Sequence, residues 1–555
     1  MDSYYDLGNY SWKVSTASPE AQIWFDRGLI WCYAYNHEES VRCFQKAAEL
    51  DPNFAMAYWG IAYAAGCNYN RTWQDFTQGE LTTVLSLCRD ACEKANARLE
   101  HTTPIERSLI EALESRYQSA QIVSDEEFCV WNDDYARAMR QVYQQFPNHS
   151  DVVTLFAEAL INRTPWQLWN LVSGKPAEGA DTLEAVEVLE RALGEREGKE
   201  THPGLAHMYI HVMEMSPHPE KALRASDSLR ELVPDAGHLL HMPSHIDVLC
   251  GDYYNAVWAN ERAIIADNKY LANEGPLNFY TSYRCHDFHF KIYAAMFLGN
   301  YQAAHSAVQE MINGISDKLL RTDNMADFLE GIISMHLHVY IRFGKWQEIL
   351  AETFPEDREF YSVTTTMLHY ARAVAYAASG RVAEAEKEQT LFYETYPKIP
   401  ESRRIFNNTC LDIMAVAQEM MNGEIEYRKA NYDAAFDHLR QSVQLDDNLL
   451  YAEPWGWMQP TRHALGALLL EQGHIEEAAS VYRADLGLDS SLSRPSQHPD
   501  NVWSLHGYVE CLRKLGKTAE ADALQARLDR AVARADVPIH ASCFCRLEHQ
   551  QDCCH

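Results

Sequence analysis

The sequence has no uninterrupted apolar run of about 18 residues, the length that a membrane-spanning helix requires. Its first residues, MDSYYDLGNYSWKVS, are acidic and aromatic and lack the basic start of a secretory signal peptide. We therefore expect no membrane segment and a cytoplasmic location.

Positive charge is also scarce, since 48 lysines and arginines stand against 79 aspartates and glutamates, for a formal net charge of −31. Such a surface repels phosphate backbones and anionic lipid headgroups. The composition thus argues against nucleic-acid and membrane partners, while an acidic surface attracts metal cations.

Strand-type alternation of apolar and polar residues is absent over any useful length, and the 14 cysteines do not form a secreted disulfide framework. Seven of them stand singly in apolar helical segments, where we expect buried thiols: Cys32, Cys43, Cys67, Cys129, Cys250, Cys285 and Cys511. The C-terminal segment ASCFCRLEHQQDCCH differs, because Cys543, Cys545, His549, Cys553, Cys554 and His555 crowd together. A soft-metal site, a disulfide and an unstructured end are the alternatives there.

A 34-residue pattern accounts for most of the chain. Residues 21–54 carry an aromatic at position 4, glycine at position 8, small or aromatic residues at positions 20, 24 and 27, and proline at position 32: Trp24, Gly28, Ser40, Phe44, Ala47 and Pro52. This pattern resembles the tetratricopeptide family, and its spacing recurs to about residue 535. We predict an N-terminal extension (1–20), a repeat region (21–535) and a Cys/His-rich tail (536–555).

The resemblance implies an all-α fold in which helical hairpins stack into a solenoid, because no single hairpin can bury its own apolar face. In this family the solenoid is a right-handed superhelix, and closure around a central channel is one alternative. The motifs NHEES, HMYIHVME, GHLLHMPSH and CHDFHF resemble a histidine-rich subgroup of bacteria and fungi. That subgroup has no assigned activity, so the resemblance implies a fold rather than a function.

Histidines recur in register in three successive repeats, which start at Pro203, Gly237 and Cys285 within 203–318. In this family, positions 2, 5, 9 and 12 line the concave face of the solenoid. Those positions hold seven histidines and one glutamate: His207, His211, Glu214, His238, His241, His245, His286 and His289. Because packed helices lie about 8–10 Å apart, imidazoles from neighbouring repeats can converge on shared ions.

This donor set favours a transition metal. Neutral imidazole suits copper, iron, zinc and nickel, whereas calcium and magnesium need oxygen ligands. Eight candidates exceed the four ligands of a structural zinc site, so two ions are expected. Because the set contains almost no carboxylate, copper is favoured. Iron is an alternative because Glu214 is present, and zinc is a further alternative. His37 and His338 are additional candidates; peptide contact is the alternative role for any single groove histidine.

We therefore hypothesise a metal-dependent oxidoreductase that activates oxygen at a dinuclear, histidine-ligated site and acts on a small organic molecule, with secondary metabolism as one setting. The histidines would be ligands, and Glu214 a ligand or a catalytic base. Two alternatives remain open. One is a non-enzymatic scaffold that binds a protein partner through the groove, and the other is a zinc-dependent hydrolase.

Overall fold

A computed structural model describes residues 4–196, 198, 201–322 and 325–546, and in these residues the protein is built from helices. Strands within this described part are confined to two short antiparallel pairs, Trp169–Asn170 with Lys175–Pro176 and Arg404–Ile405 with Asn408–Thr409. The all-α prediction is confirmed. No helix in the described residues is both long enough and apolar enough to cross a membrane.

Within the residues that the structure describes, thirteen α-helices form the first half of the chain. They are α1 (Pro19–Tyr33), α2 (His37–Leu50), α3 (Ala55–Ala65), α4 (Gln78–Asn96), α5 (Pro104–Leu113), α6 (Asp125–Gln145), α7 (Ser150–Ile161), α8 (Thr182–Glu195), α9 (Pro203–Glu214), α10 (Leu223–Leu229), α11 (Gly237–His241), α12 (Pro243–Leu249) and α13 (Tyr253–Glu274).

Fourteen more follow to the C-terminal segment. They are α14 (Tyr280–Leu298), α15 (Tyr301–Asn313), α16 (Asp317–Leu320), α17 (Met325–Ile333), α18 (Met335–Arg342), α19 (Trp346–Ala351), α20 (Ser362–Ala378), α21 (Val382–Thr395), α22 (Cys410–Arg428), α23 (Tyr432–Asp447), α24 (Thr461–Glu471), α25 (Ile475–Asp485), α26 (Val502–Lys514) and α27 (Thr518–Val532). Helices next to each other in sequence mostly pack together in pairs, such as α1 with α2 and α22 with α23.

The first hairpin shows how the repeat residues act. Ser18 caps α1, whose first residue is Pro19, and the Asn36 side chain caps α2 by accepting from the Glu39 N–H. The Phe44 ring then lies between two glycines, because a Cβ at Gly28 or Gly60 would approach it to 2.8 or 2.5 Å. Glycine is therefore required where three helices meet on one ring.

The chain divides into two compact units. The first compact unit comprises Met1–Ile246 and Arg262–Thr281, and the second comprises Asp247–Glu261 and Ser282–His555. Each is considered by itself below.

Two expectations about cysteines need correction. Cys129 is exposed and Cys250 is half-buried, whereas the other five single thiols are buried as expected. Cys129 lies beside, not on, the apolar stripe of α6 that Phe128, Trp131 and Tyr135 form. Cys250 lies just beyond the end of α12, where the chain turns at Gly251 with positive φ.

The tail contains a disulfide between Cys543 and Cys545, which is one of the alternatives raised by the sequence. The other four tail residues named above, His549, Cys553, Cys554 and His555, lie outside the described residues.

Candidate metal centre

The α9 helix supplies three residues of the candidate site. Pro203 occupies its first turn, and the His202 side chain caps it by accepting from the Leu205 N–H at 3.2 Å. Every residue of α9 is buried, so the helix is enclosed by protein on all sides. His207, His211 and Glu214 follow at intervals of four and three, which places them on one face.

The next repeat supplies three histidines from two short helices. His238 and His241 lie on α11, and His245 lies on α12. The repeat register places all three on one helix, but Pro243 has no backbone N–H to donate and the helix is interrupted at Met242. All three side chains are nevertheless buried.

The start of α11 is fixed by close packing against α13. A Cβ at Gly237 would lie only 1.9 Å from Oδ1 of Asp267, so only glycine permits this approach. The same Asp267 oxygen accepts a hydrogen bond from the Tyr280 hydroxyl at 2.9 Å, and that hydroxyl accepts from the His238 backbone N–H at 3.3 Å. The histidine-bearing turn is thus held by side-chain contacts at its first residues.

The tautomer of His207 is set by the end of α1. Its Nδ1 donates to the backbone carbonyl of Tyr33 at 2.6 Å, one of the carbonyls that a helix leaves without a partner at its C-terminus. Burial lowers the pKa of His207 to about 3, so the ring is neutral and Nε2 carries a lone pair. That Nε2 lies 3.2 Å from Nε2 of His238.

Glu214 joins two further imidazoles. Its Oε1 lies 2.9 Å from Nδ1 of His211, and its Oε2 lies 2.6 Å from Nδ1 of His245. Burial, together with neighbouring imidazoles, holds the pKa of His211 well below its usual value. Nε2 of His211 is buried and has no hydrogen-bond partner among the residues that the structure describes.

Three of these histidines are spaced as metal ligands. The ligand atoms of His207, His211 and His238 all lie within 4.8 Å of one another. Two nitrogens that bind one tetrahedral ion at about 2.0–2.1 Å stand about 3.3 Å apart, close to the 3.2 Å between His207 and His238. The separation of His207 and His238 therefore suits two ligands of one tetrahedral ion.

A second imidazole pair lies beside this trio. Nε2 of His241 is 2.7 Å from Nε2 of His245, and the ring centroids of His238 and His241 are 5.7 Å apart. The first compact unit thus brings together five of the seven predicted histidines, together with Glu214.

Tyr35, which the sequence did not single out, packs against all three rings of the trio. Its ring centroid is 4.5 Å from that of His207, 5.6 Å from His211 and 5.3 Å from His238. Its φ of +55° is unusual for a residue with a large side chain. The only sequence signal is its place in YAYNHEES, directly before the Asn36 cap of α2.

Three further candidates belong to the second compact unit. His286 and His289 belong to the second compact unit, where both rings contact Phe406, at centroid distances of 5.2 and 5.6 Å. Nε2 of His289 also faces Sδ of Met458. His338 packs edge-on against Trp457 in the same unit.

His37, in the first compact unit, is half-buried, stacks on Tyr35 and has Nδ1 3.0 Å from the Ala64 carbonyl. It is not one of the three residues whose ligand atoms converge.

Comparison with known proteins identifies one repeat directly. Residues 21–54 match the family model for the tetratricopeptide repeat, which confirms the resemblance seen in the sequence. No curated protein matches the chain.

Solved structures that resemble this chain share little sequence identity with it. The human IFIT1 dimer with m7Gppp-AAAA is 11% identical, with 93% of this chain and 91% of that chain covered and a TM-score of 0.30. Yeast Tom70 is 11% identical, with 94% and 91% covered and a TM-score of 0.28. Naa15/Naa10 bound to HypK-THB is 12% identical, with 92% and 70% covered and a TM-score of 0.22.

Proposed function

We propose that this tetratricopeptide-repeat protein holds transition-metal ions at the buried histidines of its first compact unit and uses them to oxidise a small organic molecule with dioxygen. The observation that carries the proposal is the convergence of His207, His211 and His238, whose ligand atoms lie within 4.8 Å of one another. Two facing imidazole nitrogens can share either one proton or a metal ion.

Copper is the favoured metal. The converging donors are imidazole nitrogens, which bind copper more strongly than the other divalent ions of the first transition series. Iron sites in helical bundles draw on several glutamates, and Glu214, in hydrogen-bond contact with His211 and His245, makes iron the alternative. The pair His241 and His245 offers a second ion a place beside the trio.

The reaction class follows from the metal. In the simplest balanced oxidation, the substrate loses two electrons and two protons, and one dioxygen takes up both and leaves as hydrogen peroxide. Copper ions held by the trio and by His241 and His245 would supply the two-electron redox chemistry. The buried surroundings of His207 and His238 exclude bulk water, which strengthens electrostatic interactions at the centre.

An oxygen electrode tests this function. Copper-loaded protein, freed of loose copper with EDTA, is given 4-tert-butylcatechol as a two-electron donor. We expect oxygen uptake with formation of the quinone, and much slower uptake in a His207→Ala/His238→Ala variant. Equal rates in the two proteins would contradict the proposal. Hydrolysis of p-nitrophenyl acetate by zinc-loaded protein, without oxygen uptake, would favour the hydrolase.

A protein-interaction scaffold is the second candidate, and the repeat match at residues 21–54 favours it. A scaffold of this kind binds a partner peptide and needs no metal. The burial of His207, His211 and His238 argues against their contacting such a peptide. Stoichiometric metal in the purified protein separates the two candidates.

A further inference from the structure

We propose that Glu214 is a positioning residue of the centre: it holds His211 and His245 in the tautomer that binds metal, and it is not itself a ligand. This inference rests on the proposed metal site for its functional meaning. The hydrogen-bond arrangement on which it depends is observed independently of any metal.

The tautomers follow from the chemistry of the three side chains. An ionised carboxylate only accepts hydrogen bonds, and a neutral imidazole carries a single N–H. Oε1 of Glu214 faces Nδ1 of His211 at 2.9 Å, and Oε2 faces Nδ1 of His245 at 2.6 Å. With the carboxylate ionised and both imidazoles neutral, each ring carries its proton on Nδ1, which leaves a lone pair on each Nε2.

Burial makes the charge of Glu214 important. Its side chain is fully buried, and a buried carboxylate is costly unless it is hydrogen-bonded and balanced by positive charge. The Nδ1–H groups of His211 and His245 supply two such hydrogen bonds. Glu214 connects α9 with α12, so it acts on histidines of two successive repeats.

His207 differs from these two rings and provides an internal comparison. Its Nδ1 donates to the neutral Tyr33 carbonyl, not to a carboxylate. A change at Glu214 therefore alters the tautomer preference of His211 and His245 and leaves that of His207 unchanged. A general loosening of the fold would affect all three.

The substitution Glu214→Gln tests the inference, because an amide has one accepting oxygen and one donating NH₂ group. Only one of the two histidines keeps an acceptor, and the other switches to the Nε2–H tautomer. ¹⁵N-histidine NMR of the metal-free protein, assigned with single histidine variants, reports these tautomers directly. We expect one switched ring in Glu214→Gln and an unchanged His207.

Copper binding gives the second readout. Loss of an outer hydrogen-bond partner typically lowers metal affinity about 10–100-fold, and we expect a loss of this size in Glu214→Gln, with partial recovery in Glu214→Asp. X-ray absorption of the remaining copper should show imidazole nitrogen donors, as in the wild type. The matched control is Glu106→Gln, another buried carboxylate of the first compact unit, which accepts from the Ser15 and Thr103 N–H groups.

The outcomes separate this inference from the proposed function. Unchanged tautomers in Glu214→Gln would overturn the positioning role, even if copper still binds. Loss of an oxygen donor from the copper spectrum would make Glu214 a ligand and would also overturn it. A wild type that shows the predicted tautomers but binds no metal would defeat the proposed function and leave the hydrogen-bond assignment standing.

Discussion

Nε2 of His207 lies 3.2 Å from Nε2 of His238, although the two residues are 31 positions apart and lie on different helices. Nδ1–H of His207 donates a hydrogen bond to the Tyr33 carbonyl, so Nε2 of His207 carries a lone pair in this contact. The two nitrogens then share either the single proton of His238 or a metal ion. The repeat register explains the contact, because it places these residues at positions 5 and 2 of successive hairpins.

The histidine trio should account for at least one bound ion per chain. The double substitution His207→Ala/His238→Ala removes two of its three nitrogens, so we expect copper content to fall by at least one ion per chain. The loss in copper affinity should exceed that caused by removing a hydrogen-bond partner of a ligand, which is about 10–100-fold. Metal analysis after dialysis against a weak chelator measures it.

His202→Asn is the matched control for that experiment. His202 is buried on the same helix but bonds to Asp151, and asparagine retains an acceptor for the helix cap. The control should keep its copper. Equal copper in the double variant and in the wild type would rule out the trio as a binding site.

Acid should destabilise the second compact unit through His463. Burial, aided by Arg342 and opposed by Asp485, lowers the pKa of His463 to about 4. The unfolded pKa is about 6.5, so between these values the unfolded chain binds a proton that the folded chain excludes. The free energy of unfolding therefore falls as pH falls through this window, by about 2 kcal/mol between pH 8 and pH 5.

Urea unfolding of the metal-free protein at pH 8 and pH 5 tests this effect. In His463→Gln the loss of stability between the two pH values should be smaller than in the wild type by about 2 kcal/mol. His218→Gln, at an exposed position, should behave as the wild type does. A His463→Gln variant with the full wild-type loss would contradict the assignment.

Packing at the first hairpin predicts a large effect from a single methyl group. Gly60→Ala places a Cβ about 2.5 Å from the Phe44 ring, which Gly28 already confines from the other side. We expect a loss of about 1–3 kcal/mol in the free energy of unfolding, and partial recovery when Phe44→Leu is added. Thermal and urea unfolding provide the measurement.

Gly194→Ala serves as the control for Gly60→Ala. Gly194 lies in α8, and a Cβ there would meet nothing within 4 Å. This substitution should stabilise the protein by up to about 1 kcal/mol, because alanine is the better helix former. If Gly60→Ala were equally harmless, close packing around Phe44 would not be what fixes the repeat.

The helical fold and many residues of the candidate site could be predicted from the sequence. A 34-residue register depends on local features such as Gly28 and the Asn36 cap, which are readable without coordinates. The same register puts His207, His211 and Glu214 on one face of α9. Convergence with His238 then follows from the stacking of neighbouring hairpins.

Other features of the site depend on contacts that no local pattern reveals. The Tyr33 carbonyl contacts His207, which is 174 positions away in the sequence. Tyr35 contacts the trio and has a left-handed backbone conformation. The interruption at Pro243 could have been read from the sequence, because proline lacks the N–H that a continuous helix needs. The role of Glu214 required knowing which atoms of His211 and His245 face its oxygens.

Metal binding at the buried histidines can be measured directly. Purified wild-type protein, reconstituted with copper and dialysed, should hold one or two ions per chain by mass spectrometry, with an X-ray absorption spectrum of imidazole nitrogen donors. A wild type that retains no more copper than His207→Ala/His238→Ala would contradict the account.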